Sequence, residues 1–119
     1  MANILIVEDN SEMQDLYQFF LGGHTVFRAL TVAKARNFFN DHQDQIAVIV
    51  LDGHMGLDDP ERTTLEFALH ARRMGFRGPM IACSGDEGLR ANLLERGCSH
   101  TVPKDKVGDL IEELFCVAV

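Results

Sequence analysis

The 119-residue sequence has no apolar run near the roughly 18–20 residues that a membrane-spanning helix needs. Its first apolar stretch, Ile4 to Val7, is too short for a secretory signal, and no basic residue precedes it. Basic residues are few and scattered. Eleven Lys and Arg stand against eighteen Asp and Glu, a formal net charge of −7, and the longest basic run is Arg72-Arg73. That balance speaks against direct contact with nucleic acid or with an anionic membrane, since both select clustered cations. The three cysteines, Cys83, Cys98 and Cys116, are odd in number and far apart, which fits neither a disulfide framework nor a zinc site. They read as reduced thiols in a cytoplasmic chain. The five histidines show no metal-ligand spacing, and His24, His42 and His70 read as surface or loop residues. Nucleotide-cradling glycine patterns, GxGxxG or Walker A, are absent.

What remains is an ordinary globular composition, 46% apolar and 24% charged, with no linker and no repeat. Short apolar runs alternate with helical periodicity. Strands are expected at Asn3–Val7, Thr25–Ala29, Ile46–Leu51, Pro79–Cys83 and Thr101–Val102. Helices are expected between and after them. The first carries Met13, Leu16, Tyr17, Phe20 and Leu21 on one stripe, starts with a Ser11/Gln14 capping box and is stopped by Gly22-Gly23. The second is capped by Thr31 and buries Val32, Ala35 and Phe39. The third starts at Asp59-Pro60 and runs to Gly75, and the fourth spans Asp86 to Arg96 before Gly97. The last places Val107, Leu110, Ile111, Leu114, Phe115 and Ala118 on one stripe. Strict alternation with right-handed crossovers predicts an α/β doubly wound (βα)5 fold, flavodoxin-like, with a five-stranded parallel sheet in the order 2-1-3-4-5. The expectation is a single domain over residues 1–119, with no output domain.

In such sheets ligands bind beyond the carboxyl ends of the strands, where strand order reverses. The first strand ends in Glu8 and Asp9, the third in Asp52, the fourth in Ser84, and the fifth near Lys104. Three carboxylates in one crevice repel one another unless a cation pairs them. Mg²⁺, which takes one or two carboxylates plus a phosphate and keeps several waters, suits that need. Lys104 adds a point charge for an anion and Ser84 a hydroxyl donor. These parts describe a site for one phosphoryl group. Asp52 ends the most buried strand at the centre of the cluster, which makes it the candidate nucleophile for an acyl phosphate. Glu8 and Asp9 are then metal-site residues.

The ordered set resembles the receiver domain of two-component response regulators, of the stand-alone, chemotaxis-regulator kind, over the whole chain. The carriers are Ile4-Leu5-Ile6-Val7-Glu8-Asp9-Asn10, Val50-Leu51-Asp52-Gly53-His54-Met55, Ser84 after Ile81-Ala82-Cys83, and Lys104. The resemblance implies Asp52 as phosphoacceptor, and a Mg²⁺ site of Glu8, Asp9, Asp52 and the backbone carbonyl of His54. It also implies a histidine kinase or phosphotransfer protein as donor, and a downstream protein target on the face of the fourth helix, fifth strand and fifth helix. The pattern departs from the family at Gly56, where Pro is usual, and at Pro103-Lys104, where the order is inverted. Thr101 stands where an aromatic switch residue is usual, and the loop around Leu57 to Pro60 is longer by about two residues.

Two other readings compete. A haloacid-dehalogenase-type phosphatase would carry a second Asp two residues after the first, and here that residue is His54. No true enzyme activity is therefore expected beyond the domain's own phosphorylation and dephosphorylation. A degenerate receiver that binds partners without phosphorylation fits Thr101 and Gly56, but not the intact acidic cluster.

Overall fold

The strands form where both faces of a segment can be covered. In the computed structural model, which describes residues 2–115, β1 (Asn3–Val7) and β3 (Val48–Leu51) lie at the centre of the sheet, and Ile4–Val7 and Val48–Leu51 are fully buried. β2 (Thr25–Ala29), β4 (Met80–Ala82) and β5 (His100–Thr101) complete a parallel sheet in the order β2-β1-β3-β4-β5, as the alternation predicts. Alternate residues of each strand feed opposite layers. Leu5, Val7, Ile49 and Leu51 pack with α2 (Val32–His42), α3 (Leu65–Arg73) and, through Leu93, α4 (Glu87–Glu95). Ile4, Ile6, Val48, Val50 and Ile81 pack with α1 (Ser11–Phe20) and α5 (Val107–Leu114).

Helix ends follow local chemistry with three corrections. Thr31 caps α2 by accepting from Lys34 N–H at 3.1 Å. α1 is capped by Asn10 rather than by a Ser11/Gln14 box. The Asn10 Oδ1 accepts from Glu12 and Met13 N–H at 2.9 and 3.1 Å. Gln14 instead turns under the sheet end, where its amide donates to the carbonyls of Ile6 and Glu8 at 3.0 and 3.2 Å. α1 is thereby rotated. Gln14, Tyr17 and Leu21 face inward, while Leu16 and Phe20, expected on the buried stripe, are exposed. Gly22 and Gly23 do not adopt the left-handed conformation expected of a helix stop. Gly75 and Gly97 do, at φ 94° and 115°, closing α3 and α4. The next residues complete the motif, Phe76 N–H donating to Ala71 O and Cys98 N–H to Leu93 O.

The larger correction concerns Asp59-Pro60. No helix starts there, and α3 begins at Leu65. The Asp59 carboxylate is taken by other partners, accepting from Val32 N–H at the start of α2 (2.9 Å) and from Glu61 N–H (3.0 Å). Glu61 in turn makes a two-pronged ion pair with Arg36 of α2, at 2.7 and 3.0 Å. The segment 53–64 folds back as a small hairpin, with His54 bridged to Thr63 and Met55 N–H donating to Arg62 O. The side chain of His24, expected at the surface, is 7% exposed and its Nδ1 accepts from Ala2 N–H. Cys83 and Cys98 are buried and unpaired, and burial pushes both thiols up to about 12. Cys116 and Ala118 lie outside the described residues.

Arg72 ties the two glycine-closed helix ends together. Its guanidinium donates to the carbonyls of Gly97, Phe76 and Gly78, each at 2.8 Å, and stacks on the Phe76 ring. Arg72→Met keeps the stem and removes those donors. The expected loss is about 2 kcal/mol, read as a lower urea midpoint at unchanged slope.

Candidate functional site

The carboxyl ends of β1, β3 and β4 meet at one edge of the sheet, and the register decides what meets what. Val7 pairs with Leu51, so Glu8 and Asp52 leave the sheet side by side. Asp52 N–H donates to Val7 O at 2.9 Å and Glu8 N–H to Ala29 O at 3.1 Å. Thr64 Oγ1 donates to the Asp52 carbonyl at 2.8 Å, which fixes the backbone of Asp52 from the far side of the hairpin. Glu8, Asp9 and Asp52 each present a carboxylate oxygen, and those oxygens lie within 4.8 Å of one another. Glu8 is 1% exposed and Asp52 is buried, while Asp9 faces solvent.

Among the described residues, one ammonium answers them. Lys104, in the short 3₁₀ turn Lys104–Lys106 after β5, places Nζ 3.2 Å from Glu8 Oε1 and 3.4 Å from Asp52 Oδ1. Burial and then Asp52 push the Glu8 carboxyl up to about 8, against the opposing pull of Lys104. Burial works to lower the Lys104 ammonium, but Asp52 and Glu8 outweigh it and hold it above its usual value. The second Glu8 oxygen, Oε2, is buried with no hydrogen-bond partner among the described residues. Close-set hard oxygens, an excess of negative charge and an unsatisfied carboxylate oxygen together fit a small divalent cation.

Ser84 and His54 flank this cluster. Ser84 is buried, and its Oγ accepts from Asp86 N–H at 3.1 Å, which makes it part of the strand-to-helix turn and leaves its O–H free to donate. Ser84 packs against Gly53, where a Cβ would collide with Ser84 and Leu89. The exposed His54 ring reaches across the mouth to α4. Its Nε2 lies 3.1 Å from Asp86 Oδ2, and a carboxylate accepts only, so the ring nitrogen donates. His54 first, then the N–H of Leu89, holds the Asp86 carboxyl below its usual value. The hairpin bonds beside His54 use the carbonyls of Gly53 and Arg62, not its own.

Two residues here make contacts that the sequence did not show, one of them Gly56, legible there only as a departure from the family pattern. Tyr17 reads as a core residue from its spacing. It is buried, but its hydroxyl lies 3.4 Å from Cys83 Sγ, one residue before Ser84. The Cys83 thiol donates to Leu51 O, so the Tyr17 hydroxyl is the donor to sulfur. Gly56 stands where a Cβ would come within 3.0 Å of Asp9 Oδ2, so its bare backbone admits the Asp9 carboxylate.

No protein-family model matches the sequence, and no curated protein matches it. Solved structures do match the fold. The chain is similar to a response regulator receiver domain from Clostridium thermocellum at TM-score 0.81 and 18% identity, over 95% of this chain and 93% of that one. It is similar to the receiver domain of NtrX from Brucella abortus at TM-score 0.80 and 19% identity, over 97% and 99%. A CheX–CheY–BeF3–Mg²⁺ complex from Borrelia burgdorferi gives 0.77 and 22%, over 96% and 89%. The chain has the fold of receiver domains.

Glu8 makes the metal-free fold pH-sensitive. Its carboxyl sits above the ordinary 4.5 in the fold, so the neutral form is favoured there. That contribution is full below about 4.5 and is lost as pH rises to about 8. The melting temperature in chelator should fall across that window. Glu8→Gln should flatten the slope, and millimolar Mg²⁺ should raise the wild-type value most at its upper end.

Proposed function

We propose that this protein is a phosphorylatable signalling receiver. Asp52 accepts a phosphoryl group from the phosphohistidine of a histidine kinase or phosphotransfer protein, and the acyl phosphate biases binding of a protein partner. The observation that carries this reading is the buried Glu8–Asp52 pair. With Asp9 beside it and Lys104 as its one close cation among the described residues, it has more negative charge than a structural role requires. A pure binding module gains nothing from that crowding, since like charges at such range destabilise the fold.

In the proposed reaction a carboxylate oxygen of Asp52 attacks phosphorus, the donor's N–P bond breaks, and the imidazole leaves and takes up a proton. Mg²⁺, held by Glu8, Asp9, Asp52 and the His54 carbonyl, would neutralise charge on the phosphoryl oxygens. Lys104, already within 3.4 Å of Asp52, turns its ammonium to a phosphoryl oxygen as the negative charge moves outward from the Asp52 carboxylate into the acyl phosphate. Ser84 donates its hydroxyl to another. His54 and Asp86 cover the mouth and govern how water reaches the acyl phosphate. The protein turns over no separate substrate in this scheme, acts through protein contacts and works in the cytoplasm. The Borrelia burgdorferi CheY, solved with CheX, BeF3 and Mg²⁺, lends support by likeness of fold.

Incubation with acetyl phosphate and Mg²⁺ should add one phosphate to the intact mass, labile to hydroxylamine. Asp52→Asn or omission of Mg²⁺ should abolish the adduct. A folded, Mg²⁺-binding protein that never takes up phosphate would instead be the phosphorylation-independent binding module. His54→Ala should change the lifetime of the adduct by about threefold or more, within the range of single positioned groups, and an unchanged lifetime removes His54 from this role.

A further inference from the structure

Leu16, Phe19 and Phe20 fall at i, i+3 and i+4 on α1 and stay 47%, 79% and 64% exposed. The two phenylalanine rings meet edge to face, 5.6 Å between centroids. A contiguous apolar stripe of this kind marks a contact surface. Phe20 continues it into a groove of about 220 Å³ between α1 and α5. Gly108 keeps the groove open, since a Cβ there would lie an ordinary 3.8 Å from Phe20 Cβ. The rim is acidic, with Asp105, Asp109 and Glu112 on the α5 side. Asp15, one turn before Phe19 on α1, adds a carboxylate already paired with Arg28 at 2.8 Å.

Two side chains belong both to this groove and to the phosphoryl site. Lys104 lines the groove and holds Glu8 and Asp52. Tyr17 lines it too, with its hydroxyl on Cys83 beside Ser84. The face implied by family resemblance offers less. β5 carries Thr101 in place of an aromatic, and α4 exposes one large apolar side chain, Leu94.

We propose that occupancy of the site is read at the α1–α5 groove, by a partner helix that presents apolar side chains flanked by Lys or Arg. The idea rests on the receiver reading above. Charge complementarity selects the occupant. A second copy of this chain would set net charge −7 against −7 and one acidic rim against another, and nucleic acid fails for the same reason. Phosphorylation carries the negative charge from the Asp52 carboxylate outward onto phosphoryl oxygens and draws Lys104 after it, and Lys104 forms part of the groove, so the groove changes shape with the site.

The test uses ¹⁵N-labelled protein, BeF₃⁻ with Mg²⁺ as phosphoryl mimic, and a synthetic helical Leu/Lys peptide with a Leu/Glu peptide as control. The mimic should shift amides around Asp52 and also those of Tyr17 and Gly108. The Leu/Lys peptide should perturb the α1–α5 groove, with affinity changed about fivefold or more by the mimic, an ordinary allosteric coupling. Gly108→Leu fills the groove at a position where helix propensity improves, so the fold should hold while affinity drops about tenfold or more. Leu94→Gln should leave binding alone. Shifts at Asp52 without any at Tyr17 and Gly108 would overturn this surface and leave the receiver reading intact, as would equal binding of the Leu/Glu peptide or no effect of Gly108→Leu. No shift at Asp52 itself would remove the receiver reading.

Discussion

The ion pair of Lys104 with Glu8 and Asp52 is the interaction on which the rest of the molecule turns. Two carboxylates are carried into the fold on the ends of the neighbouring strands β1 and β3, and among the described residues one ammonium reaches them, from the turn after β5. That is too little positive charge to satisfy both. The raised Glu8 carboxyl and the orphaned Glu8 Oε2 are two signs of the same deficit. A divalent cation relieves it, whereas a phosphoryl group on Asp52 would carry the negative charge outward, and the two draw Lys104 differently. The site is thus unstable by construction in a way that chemistry can correct. Packing cannot, because β1 and β3 are locked in place by cores on both faces.

Much of this arrangement could be read from the chain. Short, β-branched apolar runs such as Val48–Leu51 read as strands covered on both faces, and strict alternation with helices leaves few topologies. Once the sheet order follows, Glu8, Asp9, Asp52 and Lys104 must converge, because parallel strands bring their carboxyl ends to one edge. The expected order is the observed one, and the structure gathers those four residues.

What escaped the sequence depends on contacts between distant segments. Asp59-Pro60 carries a sound local signal for a helix start, but the carboxylate caps α2, 27 residues upstream, and the chain turns back as a hairpin instead. The α1 stripe reads as Met13, Leu16, Tyr17, Phe20 and Leu21. Its true rotation is set by Gln14, whose amide has three carbonyls to satisfy beneath the sheet. A polar residue with tertiary partners outranks two apolar ones with none, and so Leu16 and Phe20 end in solvent. Tyr17 is legible as core, whereas its bond to Cys83 exists only because β4 passes under α1.

The hairpin after β3 has a mechanical consequence. It is stapled to α2 through Asp59 and the Arg36–Glu61 pair, and Thr64 grips the Asp52 carbonyl. On that flank the neighbourhood of Asp52 is stiff. On the opposite flank lies an open crease between two helices, with a glycine in one wall. A load applied at Asp52 therefore has a fixed fulcrum on one side and a yielding wall on the other. On the receiver reading, displacement would run toward the compliant side, a direction set by the fold itself.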